Sequence, residues 1–112
     1  MAKLEHVFTG RGIAELVDLI TEGILSRSMS ASLEDSSSFS SGDVSCVVLV
    51  FERYSIIGSN RLSLTVTLFS EPGRVRVSGI SSGGSEGIMW KINTFGEEAF
   101  LDVFSDVLSS IS

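Results

Sequence analysis

The sequence predicts an α+β fold with two layers, in which an antiparallel sheet of four to six strands carries two amphipathic helices on one face. Two segments, one near each end of the chain, place apolar residues at helical spacing. The segments between them show the apolar runs and alternation that are typical of strands, and short turns join them. The element order is therefore β-α-β-β-β-β-α, and residues 1–112 are predicted to form a single domain.

The first elements are a short strand over residues 3–9 and a helix over about residues 12–26. Apolar residues in the helix recur every three or four positions, and acidic residues occupy the opposite face. The apolar stripe consists of Ile13, Leu16, Val17, Ile20 and Ile24, and the acidic face of Glu15, Asp18 and Glu22. We expect the apolar stripe to pack on the sheet.

Serine dominates the next segment, where it occupies ten of the twenty residues from 26 to 45. Ser28, Ser30 and Ser32 alternate with apolar residues, which predicts a strand with one polar face. Residues 36–42 show no such alternation, and we predict an exposed, mobile loop there.

Residues 44–57 form the strongest predicted strand, because residues 47–51 are apolar at every position and rich in β-branched side chains. A continuous apolar run indicates that both faces of the sheet are covered at that point. Cys46 lies beside this run, which favours a buried and unreactive thiol. A hairpin turn with Asn60 in a left-handed conformation should follow.

Residues 61–70 alternate cleanly between the two faces of a strand. The face toward the helices is predicted to carry Leu62, Leu64, Val66 and Leu68. A turn at residues 71–73 leads into a strand over residues 74–82. Either a two-residue loop at residues 72–73 or a four-residue loop at residues 71–74 sets Val77 opposite Leu68.

The last part of the chain predicts a Gly-rich loop, a short edge strand and a second helix. The loop spans residues 81–87 and the edge strand residues 88–92. Thr94 and Glu97 match a capping box at the start of the helix. Its apolar stripe consists of Phe100, Phe104, Val107, Leu108 and Ile111.

Charge and composition argue against several functions. The net charge of −6 disfavours nucleic acid and anionic membrane surfaces as partners. No apolar segment approaches the length that spans a bilayer, and we expect a cytoplasmic protein. One histidine and one cysteine cannot supply zinc-site spacing, and no Gly-x-Ser-x-Gly elbow occurs. We therefore predict no metal, no cofactor and no catalytic residue, and an enzyme is the less favoured reading.

Five segments of the chain are distinctive. They are SASLED at residues 30–35, FERYS at 51–55, NRLSLTVTLF at 60–69, SSGGS at 81–85 and KINTFGE at 91–97. These segments resemble a bacterial family, the domain of unknown function numbered 6054. The resemblance implies a bacterial, cytoplasmic origin and carries over no activity. The element order is also similar to small helix-on-sheet sandwiches that bind apolar ligands, which is an analogy of fold alone.

One candidate site is a small-molecule pocket between the sheet and the helices. Glu52 and Tyr54 share one face of their strand, and Trp90 is the only tryptophan. If Val48 and Val50 face the helices, Glu52 and Tyr54 lie at the rim of the core, where a carboxyl pKa can be raised. The alternative is a strand that leaves the core with its glutamate paired to an arginine. The Gly-rich loop could similarly bind an anion or be a flexible turn.

The other candidate site is the sheet face away from the helices. Strand parity assigns to it Arg53, Thr65, Thr67, Phe69, Arg76 and Ile80. Aromatic residues and arginines are enriched at protein interfaces. Two helices on one face leave the other without cover, and a second copy of the chain is the simplest partner. We therefore expect a homodimer through this face, the alternative being an ordinary, half-wet antiparallel face.

Overall fold

Five strands and two helices make up most of the chain in the computed structural model, which describes residues 1–54, 61–83 and 90–112 and, in the last range, side chains from residue 96 onward. The elements are β1 (Ala2–Phe8), α1 (Ile13–Arg27), β2 (Ser32–Ser41), β3 (Val44–Tyr54), β4 (Arg61–Glu71), β5 (Arg74–Gly83) and α2 (Trp90–Ile111). The order β-α-β-β-β-β-α and the α+β class are confirmed. The predicted turn at residues 58–60 and most of the Gly-rich loop lie outside the described residues.

The sheet is antiparallel throughout, with strand order β1-β5-β4-β3-β2. Strands β2 to β5 form a meander in which each strand pairs with the next. Strand β1 pairs with β5 instead, so α1 carries the chain from one edge of the sheet to the opposite edge. The two edge strands are therefore β1 and β2.

The core lies between one face of the sheet and the two helices. The predicted alternation of β4 is confirmed, because Leu62, Leu64, Val66 and Leu68 are buried while the residues between them are half-buried on the other face. Leu68 pairs with Val77 as predicted. A two-residue turn joins β4 to β5, and its Gly73 has φ +87°, which favours glycine.

The helices bury the predicted stripes. Leu16, Ile20 and Ile24 of α1 are fully buried, as are Phe100 and Phe104 of α2, with Val107 and Leu108 beside them. Helix α2 packs on β5, β1 and β4, whereas α1 packs on α2, β4 and β2. The two helices approach closely at Gly23, where an added Cβ would lie 2.7 Å from Cγ1 of Val107.

Two predictions about the last segment are wrong. Helix α2 begins at Trp90, so residues 90–92 are helical and not part of an edge strand. Thr94 lies inside the helix and cannot be its N-cap residue. The apolar spacing of residues 88–92 fits a strand and a helix equally well, so the sequence pattern alone does not separate them.

The prediction of a loop over residues 36–42 is also wrong. Residues 36–41 belong to β2, which pairs with β3 from Ser32 to Ser41, and of the predicted loop Gly42 alone lies in the turn. Residues 28–31, predicted as a strand, instead leave α1 through a turn closed by the Ala31 N–H, which donates to the Ser28 carbonyl. Hydrogen bonding to the backbone of β3 holds these residues in a strand, although serine is not among the residue types enriched in strands.

Candidate functional site

The sheet face that points away from the helices is called here the open face, and neither described helix covers it. Register assigns its residues, because paired residues in an antiparallel sheet share a face. From β1 to β3 they include Lys3, Glu5, Val7, Arg76, Ser78, Ile80, Thr65, Thr67, Phe69, Cys46, Val48, Val50, Glu52 and Tyr54. Strand β2 adds Phe39, which pairs with Cys46.

The centre of the open face is apolar. Val48, Val50 and Phe69 are half-buried, and Ile80 and Val7 are 38% and 48% exposed. The Arg76 guanidinium lies 5.3 Å from the centroid of the Phe69 ring, a cation–π geometry. A shallow concavity of about 650 Å³ covers Phe69, Arg76 and the neighbouring strands β5 and β1. Arginine and aromatic side chains are enriched at protein interfaces.

A cluster of ion pairs lies at each end of β4. At its last residue, the Glu71 carboxylate accepts a hydrogen bond from Arg74 Nε at 2.6 Å and lies 3.0 Å from Arg76 Nε. The hydrogen bond from Arg74 holds the pKa of Glu71 below its usual value. This Glu71 cluster has one more positive than negative charge.

The cluster at the first residue of β4 has the opposite excess. Arg61 pairs with Glu52 and lies 3.9 Å from the Glu34 carboxylate. Its guanidinium also lies 5.7 Å from the centroid of the Tyr54 ring. This Arg61 cluster has one more negative than positive charge. The open face is therefore apolar in its middle and oppositely charged at its two ends.

The structure brings five of the six predicted interface residues together on the open face: Thr65, Thr67, Phe69, Arg76 and Ile80. The placement of Arg53 is wrong, because Arg53 pairs with Leu62 and faces the helices together with Phe51. The run at residues 47–51 is apolar at every position, so it gives no alternation from which the face of Arg53 could be predicted. Cys46 also differs from its predicted burial, since it is half-buried on the open face.

Arg53 is part of the helix–sheet interface. Its guanidinium lies 4.6 Å from the centroid of the buried Phe100 ring, and its Nη1 donates to Ser28 Oγ at 3.2 Å. Desolvation by burial lowers the pKa of Arg53. No sequence signal singled out Ser28 as its partner, because that serine lies at the end of α1 among many others.

The predicted small-molecule pocket is not assembled by the residues assigned to it. Glu52 and Tyr54 lie on the open face, on the opposite side of the sheet from the helices. Trp90 is the first residue of α2, and its side chain lies outside the described part of the structure.

Helix α2 carries a buried carboxylate, Glu97, which the sequence pattern predicts to be part of the capping box at the start of that helix. Glu97 is 6% exposed and accepts a hydrogen bond from the Gly83 N–H at 3.0 Å, and it pairs with the amino group of Met1. Its oxygens therefore tie α2 to the ends of β5 and β1 instead of capping α2.

Within residues 1–54, 61–83 and 90–112, no group of three or more His, Cys, Asp or Glu side chains converges as metal ligands would. In the same residues, neither helix has the combination of length and hydropathy that crossing a membrane requires.

Comparison with protein-family models finds a match over residues 1–112, to a family described as a family of unknown function, DUF6054. The corresponding comparisons with curated proteins and with solved structures find no match.

Proposed function

Because the chain belongs to the DUF6054 family over its full length, and that family has no assigned function, we propose a function from the site: the chain is an interaction module that forms a homodimer through its open face. The observation that carries the proposal is the apolar centre of that face. Phe69, Ile80 and Val48 expose nonpolar surface on three adjacent strands, and helices α1 and α2 both lie on the other side of the sheet.

The size of the open face suits a stable pair. Five strands spaced about 4.8 Å apart and about ten residues long, at about 3.4 Å per residue, present roughly 800 Å². A standard protein–protein interface buries about 800 Å² on each partner. Two sheets that pack face to face lie about 10 Å apart, which leaves room for Phe69 and Ile80 of both copies to interdigitate.

The charges of the open face favour a second copy as the partner. In a two-fold dimer the same surface meets itself, so each excess charge needs its opposite on that same surface. The Glu71 and Arg61 clusters meet this condition, since their excess charges are opposite and they lie at opposite ends of β4. The net charge of −6 opposes the approach of two copies, so these short-range pairs matter for the dimer.

Light scattering at several protein concentrations tests the dimer. We expect the wild-type chain to be dimeric at high micromolar concentration. We expect Phe69→Asp to be monomeric with an unchanged circular dichroism spectrum, because its carboxylate would be buried unpaired in the interface. Leu25→Asp is the matched control, since Leu25 is 39% exposed on α1 and should leave the dimer intact.

Two results would contradict the proposal. One is a wild-type chain that stays monomeric at high micromolar concentration. The other is a folded Phe69→Asp variant that remains dimeric. Arg53→Glu is unsuitable for this experiment, because Arg53 packs on Phe100 in the core and its substitution would report on folding.

The proposal takes the bacterial cytoplasm as the setting of this dimer. A sequence with one cysteine forms no intrachain disulfide, whereas small secreted domains are commonly rich in disulfides. Cell fractionation of the native host checks the setting, and recovery of the protein outside the cytoplasmic fraction would contradict it.

A further inference from the structure

Strand β2 presents an unpaired backbone edge. It is the last strand of the sheet, and all ten of its residues are exposed. Ser41 and Val44 flank a two-residue turn and form the first hydrogen-bonded pair of the β2–β3 hairpin. Because hydrogen-bonded and non-hydrogen-bonded pairs alternate, the N–H and C=O groups of Ser40 and Ser38 point away from β3, whereas the outward N–H of Ser36 donates to Asp35 Oδ1 at 2.8 Å.

This edge lacks the features that usually prevent a further strand from pairing. Edge strands are commonly protected by lysine, proline, charged side chains or bulges. Residues 36–41 contain none of these, and their serine side chains are too short to shield the backbone. The bulge of β2 lies at residues 33–35, at the other end of the strand. The opposite edge strand, β1, instead carries Lys3 and Glu5 and packs against α2.

A groove of about 450 Å³ lies beside the edge, on the helix side of the sheet. Ile13 and Val17 of α1 line it together with Val47 and Leu49 of β3. Asp18 is the charged residue among the lining side chains in the described part of the chain. A strand added beside β2 would project every second side chain into this groove.

We propose that β2 binds an extended segment of a partner protein as a sixth strand. The segment carries apolar side chains at alternate positions, which enter the groove, and a lysine or arginine that pairs with Asp18. Its backbone pairs with the outward groups of Ser38 and Ser40 and with the Ser36 carbonyl, as in other cases of strand addition. The backbone edge of β2 lies away from the apolar centre of the open face on β3, β4 and β5, so the inference does not depend on the homodimer.

The groove favours a different partner over a second copy of β2. The residues of β2 that face the helix side are serines, including Ser36, Ser38 and Ser40. A second β2 would therefore place hydroxyl groups against Val47 and Leu49 and would provide no cation for Asp18. An apolar and basic segment satisfies both features of the groove.

The test uses a capped, fluorescently labelled peptide of nine residues that alternates valine and threonine and carries a lysine at each end. Fluorescence anisotropy measures its binding to the full chain. We expect saturable binding, and at least fivefold weaker binding of the same peptide with glutamate in place of both lysines. In a ¹⁵N NMR titration, the largest shifts should cluster at Ser38 and Ser40, whose N–H groups point outward.

Two pairs of variants make the test specific. Ser38→Pro removes an outward N–H while leaving the pairing of β2 with β3 intact, so we expect at least tenfold weaker binding, whereas Ser38→Ala should bind normally. Asp18→Lys should reverse the preference, so that the glutamate peptide binds more tightly. Asp106→Lys, at an exposed position of α2, should leave the preference unchanged.

The inference is overturned if the lysine peptide does not bind at millimolar concentration, or if its largest NMR shifts fall on β4 and β5. It is also overturned if Asp18→Lys and Asp106→Lys behave alike. The Asp18 result does not depend on the folding of Ser38→Pro, because Asp18 is exposed on a helix surface.

Discussion

Arg53 shows how one residue changes the interpretation of a whole strand. In the sequence it follows an apolar run and precedes Tyr54, so it can be assigned to either face of β3. In the structure its guanidinium covers the ring of Phe100 and reaches Ser28. The long apolar stem of arginine allows this placement, because the stem packs in the core while the charge remains near its edge.

Substitution of Arg53 should lower stability. We expect Arg53→Ala to reduce the free energy of unfolding by about 1–2 kcal/mol, since it removes the cation–π contact and a hydrogen bond. Arg53→Met keeps the apolar stem and should lose less. Urea unfolding measures the change. Arg11→Ala, which removes only a surface pair with Glu15, is the control and should cost about 0.5 kcal/mol or less. Equal losses for Arg53→Ala and Arg11→Ala would contradict a packing role for Arg53.

At the scale of elements, β4 could be predicted from the sequence and β2 could not. Each side chain of β4 has one environment, so its apolar and polar residues alternate and its register follows. Strand β2 is exposed on both faces, so no alternation marks it, and serine has a low strand propensity. Its strand conformation comes from pairing with β3, a tertiary interaction that a local pattern does not contain.

The packing of α2 on β5 depends on Gly79. A Cβ added there would overlap the buried ring of Phe104, so the helix approaches the sheet closely only because this residue has no side chain. We expect Gly79→Ala to lower the free energy of unfolding by about 1–3 kcal/mol, as overpacking does in rigid cores. Gly12→Ala, with open space around its Cβ, should change stability by about 0.5 kcal/mol or less in the same urea experiment. A Gly79→Ala variant as stable as Gly12→Ala would contradict this account.

At the scale of the whole molecule, the fold could be predicted from the alternation of apolar and polar residues in β4. The candidate sites could be predicted only in part. Five interface residues share the open face as predicted, because they lie on strands with clear alternation. Glu52 and Tyr54 lie at the core rim only if Val48 and Val50 face the helices. The register of β3 with β4 places all four residues on the open face instead. The two charge clusters join residues from different strands, and their pairing depends on the sheet register.

The charge clusters predict how two copies would cross. If the two-fold axis lies in the interface and runs across the strands, the Glu71 cluster of one copy meets the Arg61 cluster of the other. Arg76→Glu and Glu52→Arg should then each weaken the dimer by about threefold to tenfold, or about 1 kcal/mol. The double variant should recover most of the affinity, because the opposite charges are restored with exchanged signs. Sedimentation equilibrium measures the dissociation constants.

A different direction of the two-fold axis would give a different result for the double variant. If the axis runs along the strands, each cluster meets its own copy, and the losses of the two single variants should simply add in the double variant. High salt should reduce the difference between the wild-type chain and either single variant, since these charges lie at the exposed rim.

The pairing of β1 with β5 has a consequence for how the chain reaches its native state. The hairpins β2–β3 and β4–β5 close over two-residue turns, whereas Phe8 pairs with Val75 only after α1 and strands β2 to β4 intervene in the chain. The entropy lost on closing a loop grows with its length, and distant contacts slow folding. The topological difficulty of folding is therefore concentrated in the seven residues of β1, whose partner strand lies at the far end of the β2–β5 meander.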